Sequence, residues 1–123
     1  MFSVTIRQHI MIAHSLPHPD FGPAQRLHGA TYVTDVTFYS KQLTEMGIVI
    51  DIALAHDALK KALAPLDYQN LDELPQFKGK LTTTEFLAQY IHGQVKAAVV
   101  DQFDGRIKVV LGESHEAWAA YEA

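Results

Sequence analysis

The sequence predicts an α+β fold: an antiparallel four-stranded sheet, with two helices between its second and third main strands. Three observations predict it. Segments of strand character come in blocks and do not alternate with helices. Two helical patterns follow one another in the middle of the chain, and strand character returns after them.

Phe2 to His14 is rich in Val, Ile, Thr and Phe and reads as a strand. Its continuous run Ile10-Met11-Ile12-Ala13 predicts burial on both faces. Residues 15–27 hold Pro17, Pro19, Gly22 and Pro23, which fix φ angles and remove ladder donors, so a loop is expected. Residues 28–39 resume strand character with Tyr32, Val33, Val36, Thr37, Phe38 and Tyr39, and residues 40–46 are turn-like. Gly47-Ile48-Val49-Ile50-Asp51 reads as a further short strand.

The period then changes. Leu54, Ala55, Ala58, Leu59, Ala62 and Leu63 predict an amphipathic helix over 53–64, stopped by Pro65. Leu66 to Lys80, holding Asp67, Asn70, Pro75 and Gly79, reads as an irregular connection. A second helix is predicted at about 83–97, with Phe86, Leu87, Tyr90, Ile91 and Val95 on one face. Thr82 and Glu85 fit a capping box at its start. Asp104-Gly105 marks a turn, and 106–113 alternates as a strand with Ile107, Val109 and Leu111 on one side. In the tail, Glu116 to Ala123, alanine favours a helix while Trp118, Tyr121 and the short length suit a strand. The fold class takes it as the last strand.

Composition bounds the function. A chain of 123 residues with 48% hydrophobic and 20% charged residues predicts one folded domain over residues 1–123. The absence of cysteine rules out a disulfide framework, a thiolate metal site and a cysteine nucleophile. A net charge of −4 without a basic cluster argues against a nucleic-acid partner. No apolar run approaches the roughly 20 residues that span a bilayer, and the first residues lack signal-peptide order. A cytoplasmic protein is expected. Seven histidines stand against that −4, so net charge should change sign on mild acidification.

Two of those histidines lie at inferred ends of neighbouring strands: His14 closes the first and His28 opens the second. An antiparallel connection brings those ends together, and two imidazoles could converge on zinc. The natural third position, two residues along the same face, is Ala30. On spacing alone, structural or surface histidines are the commoner outcome.

Six segments in order carry a resemblance. Ala13-His14-Ser15-Leu16 is similar to Ala-His-Arg-Leu; Arg26-Leu27-His28-Gly29-Ala30 to Arg-Leu-His-Gly-His; and Gly47 to Asp51 to Gly-Met-Val-Met-Asp. Leu66 to Leu71 is similar to Leu-Asp-His-Lys-Asn-Leu, Thr82 to Glu85 to a Thr-Thr-Glu helix start, and Gly112-Glu113-Ser114 to a strand-ending Glu-Thr. Over nearly its whole length the chain resembles the 6-pyruvoyl-tetrahydropterin and 6-carboxy-tetrahydropterin synthase family, as a divergent member. The resemblance implies a T-fold, three subunits closing a twelve-stranded barrel, two such trimers stacked into a homo-hexamer, and sites between subunits. It implies zinc on three histidines, a glutamate anchoring a pterin ring, and a cysteine with an Asp-His pair moving protons.

Carried over residue by residue, the metal ligands fall on His14 and His28, with Ala30 as the third, so any zinc is bound weakly. The cysteine falls on Ala24, and the Asp-His pair on Asp67 and Tyr68, the candidate catalytic residues. Glu113 is the candidate ring anchor, with Thr83 and Thr84 beside it. Directly after Val109-Val110-Leu111, Glu113 is expected to be buried. His18 or His115 could replace the third ligand, but solvated surface histidines are the favoured reading of both. Asp67 could equally cap its loop, and Thr83 and Thr84 are explained as first-turn residues of a helix. Two functions are expected: a zinc-dependent, lyase-like protein acting on a pterin or purine-like substrate by other than the standard reaction, or a non-catalytic pterin-binding protein. A third, structural reading keeps the strands for the oligomer alone.

Overall fold

The computed structural model describes residues 1–123. Strand β1 (Phe2–His14) pairs antiparallel with β2 (His28–Ser40) along their whole length, from Phe2 opposite Ser40 to His14 opposite His28. Helix α1 (Ile52–Leu63) follows, then a two-residue strand β3 (Gln69–Asn70), helix α2 (Thr84–Val99), and strands β4 (Arg106–Ser114) and β5 (Ala117–Glu122). The sheet order is β3-β1-β2-β4-β5. The expected four antiparallel strands are β1, β2, β4 and β5. The sheet nevertheless has five, because β3 adds a short parallel pairing to β1 at Ile12 and Ala13.

Alternation sorts the two faces. Even-numbered positions of β1 and β2 and odd-numbered positions of β4 point inward, so Ile6, Ile10, Tyr32, Val36, Ile107 and Val109 meet Leu59 and Leu63 of α1 and Leu87, Ile91 and Val95 of α2 in one core. Met11, read as part of a run buried on both faces, is 49% exposed. It lies on the outward side of β1, where only strand pairing surrounds it. The outward face carries the Arg7–Asp35 pair, at 2.6 and 2.8 Å, and the Thr5–Thr37 hydroxyl pair at 2.7 Å.

Several expected boundaries move, each for a physical reason. Gly47 to Asp51 is not a strand. Gly47, at φ +77°, closes a turn through a 2.8 Å bond to the Thr44 carbonyl, and Asp51 already caps α1 by accepting from Ala53 and Leu54 amides. Only three residues remain between turn and cap; Val49 and Ile50 pack into the core without a ladder.

The 15–27 loop contains a 3₁₀ turn, Pro19–Gln25, helped by Pro19 at its start and by the His18 ring nitrogen, which accepts from the Asp20 amide. The 66–80 connection, besides β3, has 3₁₀ turns at Leu71–Glu73 and Pro75–Phe77. The ambiguous tail is β5, paired along β4 from Lys108–Glu122 to Gly112–Trp118.

The cap of α2 is Thr83, whose hydroxyl accepts from the Phe86 amide at 3.1 Å. The capping box expected on Thr82 does not form, because the Thr82 hydroxyl is engaged elsewhere.

Candidate functional site

The end of the β1–β2 pair brings the two expected histidines together. His14 and His28 are cross-strand partners, and their rings meet edge to face with centroids 4.6 Å apart. His14 is only 3% exposed. Its Nδ1 lies 2.9 Å from the hydroxyl of Thr82, itself 1% exposed. The His28 Nδ1 lies 2.8 Å from the Arg26 carbonyl. A carbonyl only accepts, so this nitrogen carries the proton and the neutral ring keeps its lone pair on Nε2. Burial, and then the neighbouring His28, hold the His14 pKa below its ordinary value, outweighing Asp72 and the Thr82 contact.

Two imidazoles do not complete a zinc centre. A catalytic zinc takes three protein ligands and a water. The next inward position on β2 is Ala30, whose methyl packs against the core. Nowhere in the chain do three His, Asp or Glu side chains converge on one point. His18 caps its 3₁₀ turn and contacts Asp20; His115 lies at the surface beside Glu116. Asp72 is held by the Ser15 amide and hydroxyl, at 3.0 and 2.6 Å. The donor set therefore does not fit the three-histidine zinc that the resemblance implies.

Further along the same inward face of β2 is Tyr32, fully buried, with a hydroxyl that makes no hydrogen bond. Burial pushes its pKa up. The neighbouring Thr84 hydroxyl opposes the shift, while Glu113 and Glu85 add to it. Tyr32 thus stands where β2, β4 and the start of α2 meet. The β2–β4 register, Val33 opposite Gly112, places Glu113 next to Tyr32. Glu113 occupies a β-bulge: Gly112 pairs with Trp118 and Ser114 with Ala117, leaving Glu113 as the extra residue. A bulge re-aims a side chain. Glu113 is exposed, not buried as expected, because it lies beyond the last helix-covered residue of β4, Leu111.

Asp67 and Tyr68 lie on the other edge of β1. The Asp67 carboxylate accepts from the Met11 amide at 3.0 Å, and the Tyr68 amide donates to the Met11 carbonyl at 2.7 Å. Tyr68 has φ +58° and is 77% exposed. Ala24 is half-buried in the Pro19–Gln25 turn, and its carbonyl accepts from the Leu16 amide. Sequence reasoning missed Thr82 as the His14 partner, Tyr32 beneath Thr84, and Asp72 beneath Ser15. Thr82 carried a signal, three consecutive threonines, but a helix start absorbed it.

The fold, a sheet of order β3-β1-β2-β4-β5 with both helices inserted between β2 and β4, is that of the tetrahydropterin synthases. The comparisons agree. The family model for 6-pyruvoyl tetrahydropterin synthase matches residues 3–123, and the chain belongs to that family. It is 26% identical to the 6-carboxy-5,6,7,8-tetrahydropterin synthase of Bacillus subtilis, over 98% of this chain and 84% of that protein. It is 30% identical to the 6-pyruvoyl tetrahydrobiopterin synthase of Dictyostelium discoideum, over 77% of this chain and 71% of that protein. Among solved structures, the Caenorhabditis elegans 6-pyruvoyl tetrahydropterin synthase superposes with a TM-score of 0.83 at 24% identity, covering 100% of this chain and 97% of the other. The Plasmodium vivax enzyme gives 0.81 at 16% identity, covering 99% and 97%. The last two likenesses concern the fold.

Proposed function

We propose that this protein binds a pterin or related purine-like ring and does not carry out the standard reaction of the synthases. The observation that carries the reading is the bulged Glu113 next to the buried Tyr32, whose hydroxyl the Thr84 hydroxyl also neighbours. A carboxylate there can pair, two bonds at once, with the NH–C–NH₂ edge of such a ring. The relatives' names supply the ring class: both are tetrahydropterin or tetrahydrobiopterin synthases. The proton-transfer half of the expected machinery is altered. Ala24 has no proton to move, Tyr68 is a phenol where an imidazole is expected, and Asp67 is engaged with the Met11 amide. General acid–base groups contribute roughly 10²–10⁴-fold each, so these changes remove several orders of magnitude from the standard reaction.

A homo-oligomer belongs to the same reading, most simply a hexamer of two trimers. One edge of the sheet is β5, and the other is β1 with only the two-residue β3 upon it. Open strand edges are liabilities that proteins cover. A cytoplasmic protein suits the chain, in which no helix is long and apolar enough to cross a membrane.

One observation favours a second, lyase-like reading. Tyr68 is held in the left-handed backbone region that a tyrosine rarely adopts, with its phenol projecting outward. Strain of this kind clusters at functional sites. In that reading Tyr68 donates a proton to a ligand bound by a neighbouring subunit, Asp67 sets its position, and the two histidines hold zinc weakly. Calorimetry with 7,8-dihydropterin, followed by product analysis with dihydroneopterin triphosphate, tests the first reading. Binding without turnover is expected; turnover at a synthase's rate overturns the first reading.

A further inference from the structure

We infer that this chain holds no resident zinc, and that its His14–His28 pair is instead a hydrogen-bonded bracket fastening the closed end of β1 and β2 to the entrance of α2. The argument starts from the donor set. Two imidazoles converge, Ala30 turns a methyl into the core where a third donor would stand, and no carboxylate completes the group. A pair of neutral nitrogens lacks the third ligand that tetrahedral zinc sites draw from the protein.

The two rings have other work. The His14–Thr82 contact joins residues 68 apart in sequence, and both partners are almost wholly buried. It is the one hydrogen bond between side chains that are both buried. Thr82 directly precedes the cap of α2, so this contact sets where the helix begins relative to the sheet. His28 closes the other side, through Arg26, on the chain leaving the Pro19–Gln25 turn. Without Thr82, the His14 nitrogen would be a buried polar atom with no partner, which destabilises the folded chain. A second tie runs in parallel: Ser15, next to His14, is held by Asp72 from the segment leading to α2. The bracket requires no metal and leaves Glu113 and the ring-binding reading untouched.

The test uses full-length protein purified without chelator and dialysed against metal-free buffer. Elemental analysis should find zinc far below one per chain. Neither EDTA nor added zinc chloride should move Tm, since a ligand stabilises only the state that binds it. Thr82→Val should lower Tm by about 5 °C and speed amide exchange around residues 14–16 and 81–83. Thr82→Ser, which keeps the hydroxyl, should restore both. Ala30→His should gain a zinc-dependent rise in Tm that His28→Ala removes. Zinc near one per chain, or a fall in wild-type Tm with EDTA, overturns the absence of a resident metal. Equal stability of Thr82→Val and Thr82→Ser overturns the bracket. An Ala30→His protein indifferent to zinc overturns the reason given for the loss. Pterin binding is read separately, by calorimetry, so failure of the ring reading cannot be mistaken for failure of this one.

Discussion

Glu113 shows how little of a residue's role is visible in its own exposure. Its carboxylate is exposed in the single chain, yet it emerges at a bulge where the β2–β4 register brings it next to the buried Tyr32. A charged hydrogen-bonded pair contributes roughly 1.5–3 kcal/mol. Glu113→Gln should therefore weaken dihydropterin binding by about 10- to 100-fold while leaving Tm within a degree or so of wild type, as expected of an exposed position. Calorimetry and a thermal melt check the two halves. Asp67 invites the opposite outcome. Its carboxylate satisfies the Met11 amide on the edge of β1. Asp67→Ala should cost about 1 kcal/mol, or about 4 °C in Tm, and leave ring binding unchanged. Unaltered stability with lost binding would move Asp67 into the site.

At the scale of elements, the start of α2 combines structure and site in three consecutive threonines. Thr82 meets His14, Thr83 caps the helix, and Thr84 lies beside Tyr32. Thr83→Ala should cost about 1 kcal/mol of stability, the usual value of a cap, readable by urea unfolding. Thr83→Ser should be near neutral.

The sheet's outer face supplies a pH-dependent element. The Arg7 guanidinium, bonded to both Asp35 oxygens, holds that carboxyl below its ordinary value. A carboxylate with a depressed folded-state pKa contributes stability that is present above its unfolded value, near 3.8, and lost as pH falls below it. Melting curves from pH 6 down to about pH 3 should show Asp35→Asn losing less stability than wild type. Parallel curves would show that the pair contributes nothing, a common result for exposed ion pairs.

For the whole molecule, the decisive question is what covers the sheet edges. Met11 directs both its backbone groups outward, to Asp67 and Tyr68. By strand parity, His9, Arg7, Thr5 and Ser3 direct theirs outward too, toward no partner in the single chain. His9→Pro removes one outward N–H while sparing the bonds to β2. Sedimentation velocity should find wild-type protein as a hexamer and His9→Pro as smaller, folded species. A wild-type monomer at micromolar concentration would refute the assembly.

Local periodicity determined the α+β order, the inward face of β4, both helices and their stripes, and the strand ends at which His14 and His28 stand; Thr83, Thr84 and Glu113 are singled out by the family resemblance of the sequence. Periodicity did so because burial on one face leaves its period in the chain wherever an element is long enough to show it. Tertiary structure alone decided the rest. It decided that Thr82 bonds His14 and so does not cap α2, that Asp67 holds Met11, and that Val49 and Ile50 are buried without a ladder. It also decided that two residues at 69–70 add a strand, and that Glu113 emerges at a bulge. Each is a contact between residues distant in sequence, or a segment too short to carry a period. In those places a side chain's bond depends on what the fold brings beside it, and no neighbour along the chain records that.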